Sequence, residues 1–190
     1  MSENVAVEST RRRLTGKRAD TVRRLSRATV EVLREVGYHD LTLQAVAAQA
    51  GVARATAYTY FSSKDHLIAE VYWRRLSMEQ PPANTSADVQ TRVFTVLRSL
   101  AYLVADEPAL ADAVRVVINS PDPDVEMIRA EIAKHNHELI AAAVADDADE
   151  ETVSLLALVY AGAMMRAGTG MASFAEVTNQ LEVAVRRILR

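Results

Sequence analysis

The spacing of apolar residues is helical along almost the whole chain. From Ala19 to Val36, the positions Val22, Leu25, Ala28, Thr29, Val32, Leu33 and Val36 recur at intervals of three and four, one face of an amphipathic helix. Gly37 stands where a helix-terminating glycine belongs, since glycine adopts left-handed dihedrals without steric cost. Thr42 is the expected N-cap of a short helix that stops at Gly51, and a third short helix is predicted from about Arg54 to Phe61. Ser62 and Asp65 have capping-box spacing ahead of a fourth helix carrying Leu67, Val71 and Leu76. The paired prolines of "EQPPANTS" at 79–86 break the series. Helical spacing then resumes near 86–105, 108–119, 123–147, 150–168 and 174–189, with Pro108, Pro123 and a Ser173/Glu176 capping box marking three of the starts. No alternating strand pattern or hairpin turn signal occurs. The predicted fold class is all-α with about nine helices. It comprises a flexible basic arm at 1–18, a small helical domain at 19–80 and a larger helical domain at 81–190.

Composition narrows the chemistry. Alanine is abundant while Gly (6) and Pro (5) are scarce, which favours helix over turn-rich sheet. The absence of cysteine excludes disulfides, thiol catalysis and thiolate metal sites. No segment has the length and apolarity of a membrane span or a signal peptide, so a cytoplasmic protein is expected. Charge is unevenly placed. Residues 1–80 hold 13 Lys/Arg against 9 Asp/Glu, a net +4, and residues 81–190 hold 9 against 16, a net −7. A basic N-terminal part points to an anionic partner at that end, with Arg11, Arg12, Arg13, Lys17 and Arg18 concentrated in the arm.

Two short helices joined through a glycine, "LQAVAAQAGVARATAYTYF", fit a helix-turn-helix. Ala47 is small where the helices must approach, and Gly51 supplies the dihedrals of the turn. Ala57 and Phe61, four apart, share an inward face. Arg54, Ala55, Thr56, Tyr58, Thr59 and Tyr60 are left outside or at the rim.

The stretch "LTLQAVAAQAGVARATAYTYFSSKDHLI" resembles the N-terminal domain of TetR-family transcriptional regulators. The matching residues are Thr42, Ala50-Gly51-Val52, Thr56, Tyr58, Phe61, Ser63, Lys64, Asp65 and Leu67, and the likeness extends over roughly residues 20–75. Ala57 departs from it, the family having a larger apolar residue there. The resemblance implies a DNA-binding regulator of transcription whose third helix enters the major groove. Arg54 would then face base edges, where guanine O6 and N7 suit a guanidinium fork. Gln44 would be a second base reader, and Ala55 and Thr59 would meet thymine methyls or sugars. Thr42, Thr56, Tyr58, Tyr60 and Lys64 would hold phosphates. Tyr58 and Tyr60 have a plainer role open to them as packing aromatics, Arg54 as an ordinary solvated charge, and the arm as simple disorder without a DNA role.

For the C-terminal part the resemblance implies a dimer platform around a small-molecule site. The partners are then a pseudo-palindromic double-stranded operator, a largely apolar effector and a second copy of the chain, with no membrane, cofactor or metal. The expected interface residues are Leu155, Val159, Gly162, Ala163, Val177, Leu181 and Val185, on helices whose small residues permit close approach. The apolar faces fit an internal core equally well. The expected pocket residues are Tyr102, Asn119, Met127, Ile128, His135, Tyr160 and Met164. His135 interrupts an apolar stripe, and its spacing from Glu131 and Glu138 could gather three metal-capable groups, although a satisfied core histidine explains it more simply. Neither a zinc-helix motif, nor a phosphate-cradling glycine loop, nor a nucleophile elbow is present, so catalysis is not expected. A repressor released by its effector is the leading reading. An effector-independent or activating regulator, or a helical interaction module without DNA binding, stays open beside it.

Overall fold

The computed structural model describes residues 16–81 and 87–190, so Arg11, Arg12 and Arg13 of the arm and most of the proline break lie outside the described residues. Every regular element among the described residues is helical. Nine α-helices follow in order: α1 (Lys17–Asp40), α2 (Leu43–Gln49), α3 (Arg54–Tyr60), α4 (Lys64–Leu76), α5 (Val89–Ala101), α6 (Pro108–Val117), α7 (Pro123–Val144), α8 (Glu150–Gly168) and α9 (Phe174–Ile188). A single 3-10 turn, Ala145–Asp147, separates α7 from α8. None of these helices is long and apolar enough to cross a membrane. The all-α expectation is met, and Pro108, Pro123, Thr42 and the Ser173/Glu176 box fall at the predicted starts. Pro108 and Pro123 open their helices, where a missing N–H costs nothing. Ser173 Oγ accepts the Glu176 N–H at 3.2 Å while Glu176 returns a carboxylate to the Ser173 N–H at 2.7 Å.

Two expected boundaries shift. Lys17 and Arg18, assigned to the arm, form the first turn of α1. The cap of α4 is Ser63 rather than Ser62, because Ser63 Oγ accepts the His66 N–H at 3.0 Å. Asp65 is thereby released from capping, and it accepts the hydroxyls of Tyr38 and Ser120, each at 2.8 Å.

The chain divides into two compact units, each discontinuous in sequence. One comprises Met1–Trp73 with Ala109–Arg129, and the other Arg74–Pro108 with Ala130–Arg190. In the first, α1 packs on α2 and α2 on α3. Val22, Leu25, Leu33, Val46, Ala57, Phe61, Leu67 and Ile68 are all buried there. Val36, placed on the same stripe by periodicity, is exposed, since the helical path breaks immediately after it at Gly37. In the second unit α9 packs on α5 and α8. The buried stripe Val177, Leu181 and Val185 on α9 faces inward with Leu97, Leu156 and Tyr160.

The α2–α3 turn shows why glycine is required at position 51. The Val52 N–H reaches back to the Ala47 carbonyl (2.9 Å) and the Gly51 N–H to Ala48 (3.0 Å). This paired arrangement closes a helix through a left-handed residue, and Gly51 has φ of 62°. A Cβ at that position would also lie 3.1 Å from Arg24 Nη2. Gly51→Ala should therefore lower unfolding free energy by about 1–2 kcal/mol in denaturant titrations. A second expectation concerns tyrosine. Burial, the hydrogen bond to Asp65 and the charge of that carboxylate push Tyr38 up to about 12, and burial alone pushes Tyr72 up to about 12. Stability from these two groups is complete below pH 10 and is lost as pH rises towards 12, because the unfolded chain ionises first. Absorbance titration should show two late phenols, and Tyr38→Phe should remove one.

Candidate nucleic-acid interface

The third helix has seven residues and one buried position, Ala57; Phe61, immediately after it, is fully buried as well. Both anchors lie on one side, so the opposite side is surface. Arg54, Ala55, Thr56, Tyr58 and Thr59 are exposed, and Tyr60 is half-buried at the rim. On α2, Thr42 and Gln44 are exposed while Leu43, Val46 and Ala47 are buried. The sequence-predicted reading residues are therefore exposed, apart from the half-buried Tyr60 and Lys64.

The polar atoms on this face are partly committed. Thr42 Oγ1 accepts the Ala45 N–H at 3.1 Å as the N-cap of α2, which leaves its own proton free to donate. Thr59 Oγ1 donates to the Ala55 carbonyl at 3.0 Å, so its methyl group and lone pairs are what it can offer. The Arg54 guanidinium lies 5.6 Å from the centre of the Tyr58 ring, one helical turn away. Such a contact restrains a long side chain without using its donors.

Lys64 is placed differently from a free surface cation. Its Nζ donates to the carbonyls of Tyr38 (2.9 Å) and His39 (3.1 Å) and sits 4.4 Å from the Tyr38 ring centre. An ammonium has three donors, so one remains for an outside acceptor. Arg24 was not singled out by sequence reasoning, since it reads as one more charge on the polar face of α1. Its guanidinium donates to the Ala50 carbonyl at 2.6 and 3.1 Å and to the Gly51 carbonyl at 2.8 Å, tying the helix-turn-helix bend to α1. Gln49 adds a second tie, donating to Glu31 at 2.8 Å.

The C-terminal candidates separate into groups. Leu155 and Gly162 are exposed on α8, Val159 is half-buried, and Ala163 is buried. Val177, Leu181 and Val185 are not surface residues, since α9 spends them on packing against α5 and α8. The exposed apolar stripe on α8 is instead Leu155, Leu158, Ala161, Gly162 and Met165, with Leu158 and Met165 about 70% exposed. Of the expected effector residues, Tyr102, Asn119 and Met127 are exposed, Ile128 and Tyr160 are buried, and His135 and Met164 are intermediate. His135 Nδ1 lies 3.9 Å from Glu138, and no cluster of three metal-capable side chains occurs among the described residues. A cleft of about 390 Å³ on the second unit is lined by Asp88, Gln90, Thr91, Phe94, Glu182, Val185 and Arg186, none of them a predicted effector contact.

Comparison with known proteins agrees with this geometry. The family described as "Bacterial regulatory proteins, tetR family" matches residues 25–71, the segment from α1 to α4. The HTH-type transcriptional regulator Rv0767c of Mycobacterium tuberculosis is 38% identical over 201 residues, covering 100% of this chain and 94% of its own length. Among solved structures, a TetR transcriptional regulator from Rhodococcus sp. RHA1 has a TM-score of 0.71 at 23% identity, covering 87% of this chain and 95% of that one. FadR of Bacillus subtilis, solved with stearoyl-CoA, has a TM-score of 0.64 at 18% identity, covering 86% and 96%. A relationship at that identity along the full chain, together with the family match over the segment from α1 to α4, places the protein in the TetR family of bacterial transcriptional regulators.

Proposed function

We propose that the protein is a dimeric repressor that reads a pseudo-palindromic operator with α2 and α3 and leaves it when a small, largely apolar effector binds residues of the C-terminal helices. The observation that carries the reading is the outward face of α3, on which Arg54 stands among Thr56, Tyr58 and Thr59 while Ala57 is fully buried. Arg54 reads a guanine edge in this scheme, with Gln44 as second reader and Ala55 and Thr59 against sugars or thymine methyls. The hydroxyls of Thr42, Thr56, Tyr58 and Tyr60 fix register on phosphates, and Lys64 spends its remaining donor on another. Two copies present two such faces to successive major grooves. The α8 stripe of Leu155, Leu158, Ala161, Gly162 and Met165 is the self-association surface in this reading, because it is apolar, contains small residues and is accessible. FadR of Bacillus subtilis was solved with stearoyl-CoA on a similar fold, so long acyl thioesters are the first effectors to screen.

Selection from a randomised duplex pool tests the central claim, and failure to enrich any sequence at low salt would sink it. With the selected operator, Arg54→Ala should lose about 1–3 kcal/mol and relax preference at one base step. Lys64→Ala should weaken all duplexes alike and reduce the salt slope by about one. Leu158→Glu should shift sedimentation from dimer to monomer without loss of helical circular dichroism.

A further inference from the structure

The residues that follow α3 are held by side chains some sixty positions away. Ser62 Oγ donates to Asp124 Oδ2 and Ser63 Oγ donates to Asp122 Oδ2, both at 2.5 Å. Only residues 61–63 separate α3 from α4, and Phe61 among them is fully buried. The connection therefore has a packed anchor followed by two tethered hydroxyls, and little slack.

The second of these tethers is built into helix caps. Ser63 Oγ closes α4 by accepting the His66 N–H, while Asp122 Oδ1 accepts the Asp124 N–H at 2.9 Å at the start of α7. One hydrogen bond thus joins the caps of two helices through their own side chains. His66, only 2% exposed, completes the cluster. Its Nδ1 accepts the Ser62 N–H at 3.3 Å and lies 3.4 Å from Asp124 Oδ2, and its ring stands edge-on to Phe61 at 5.4 Å. Burial works against the Asp122 carboxylate, but the Ser63 hydroxyl, the N–H groups of Asp124 and Val125 and the nearby His66 together hold it below the ordinary carboxylate range. It stays a charged acceptor at neutral pH.

We infer that Asp122 and Asp124 are positioning residues for DNA recognition: by fixing Ser62 and Ser63 they set the exit of α3, and hence the pose of Arg54. A shift of the first turn of α7 is then passed to the recognition helix through two short hydrogen bonds. Neither aspartate belongs to the helix-turn-helix, and a carboxylate repels phosphate, so a contribution to binding runs through the serines and the buried His66 beside them. The inference rests on the DNA-binding reading above.

Asp124→Ala, Asp124→Asn, Ser62→Ala and the Ser62→Ala/Asp124→Ala double variant of the full chain provide the test, since none of them removes either cap. Asp124→Ala should weaken binding to the selected operator about tenfold and leave low-salt binding to an unrelated duplex unchanged. Asp124→Asn keeps an acceptor oxygen and should stay close to wild type. The double variant should be no weaker than Ser62→Ala alone. Amide hydrogen exchange across 54–60, measured without DNA, should quicken in Asp124→Ala and not in Asp124→Asn. The inference is overturned if Asp124→Ala matches wild type in both readouts, or if the two single losses add. It is equally overturned if operator and unrelated duplex lose together while the thermal midpoint falls, the mark of a general loss of fold. If wild type selects no sequence, the DNA reading fails, and exchange over α3 alone decides whether the tether holds that helix.

Discussion

Burial of Phe61 beside Ala57 is the constraint on which the reading face depends. A seven-residue helix is below the length at which peptide helices persist in water, and α3 carries β-branched threonines and two tyrosines that do not favour it. Its helical state is imposed from behind. Phe61 is fully buried and follows the last turn directly, its N–H returning to the Ala57 carbonyl at 3.0 Å. With Ala57 and Phe61 both turned inward, the other side chains of the helix are left at the surface, Tyr60 half-buried at its rim. Exposure of Arg54, Thr56 and Tyr58 is thus a consequence of where the apolar residues fall, and no separate device is needed to present them.

The helix ends are closed by a recurring arrangement. Short side chains cap N-termini: Thr42 on α2, Ser63 on α4, Asp88 on α5, Asp149 on α8 and Ser173 on α9. Long cations from elsewhere in the chain close several C-termini, where free carbonyls gather negative dipole. Lys64 serves the end of α1 and Arg24 the end of α2. Arg129 donates to the Ile118 carbonyl beyond α6 at 2.8 Å, and Arg92 to the Ala143 carbonyl at the end of α7 at 2.9 Å. Arg92 is 9% exposed yet has a partner at each nitrogen, since the Ala87 carbonyl accepts from Nη1 and Asp147 from Nη2. Part of the positive charge counted in the N-terminal half is thereby committed to carbonyls.

Local features were legible in the sequence, and tertiary choices were not. Proline at a first helical position, a glycine in the left-handed region and a Ser-x-x-Glu box act within four residues, so Pro108, Gly51 and Ser173 could be assigned from spacing alone. The choice between Ser62 and Ser63 could not. Both have an acidic or ring acceptor in reach, and the outcome is settled by Asp122 and Asp124, about sixty residues onward. The same limit governs α9. Periodicity states that Val177, Leu181 and Val185 will be covered, but not whether a partner or α5 and α8 will cover them. Arg24 was missed for a related reason. Nothing local distinguishes an arginine that will reach Ala50 and Gly51 from one that will remain in water.

The division of charge bears on how specificity and attraction are separated in the N-terminal unit. On α3 Arg54 is the sole cation, set over Tyr58, and its neighbours are neutral hydroxyls. In the proposed DNA-reading role, a face of this kind would contribute little to sequence-independent binding, which scales with the number of phosphates neutralised. It would contribute more to discrimination, because a restrained guanidinium loses less freedom on pairing with a base edge. The exposed cations Lys17, Arg18 and Arg27 lie on α1, outside the helix-turn-helix. Arg23 is exposed there too, but Asp20 holds it at 3.1 Å. Long-range attraction can thus be altered on α1 with little effect on the geometry of α3, whose pose is fixed by Ala57, Phe61 and the serines that follow.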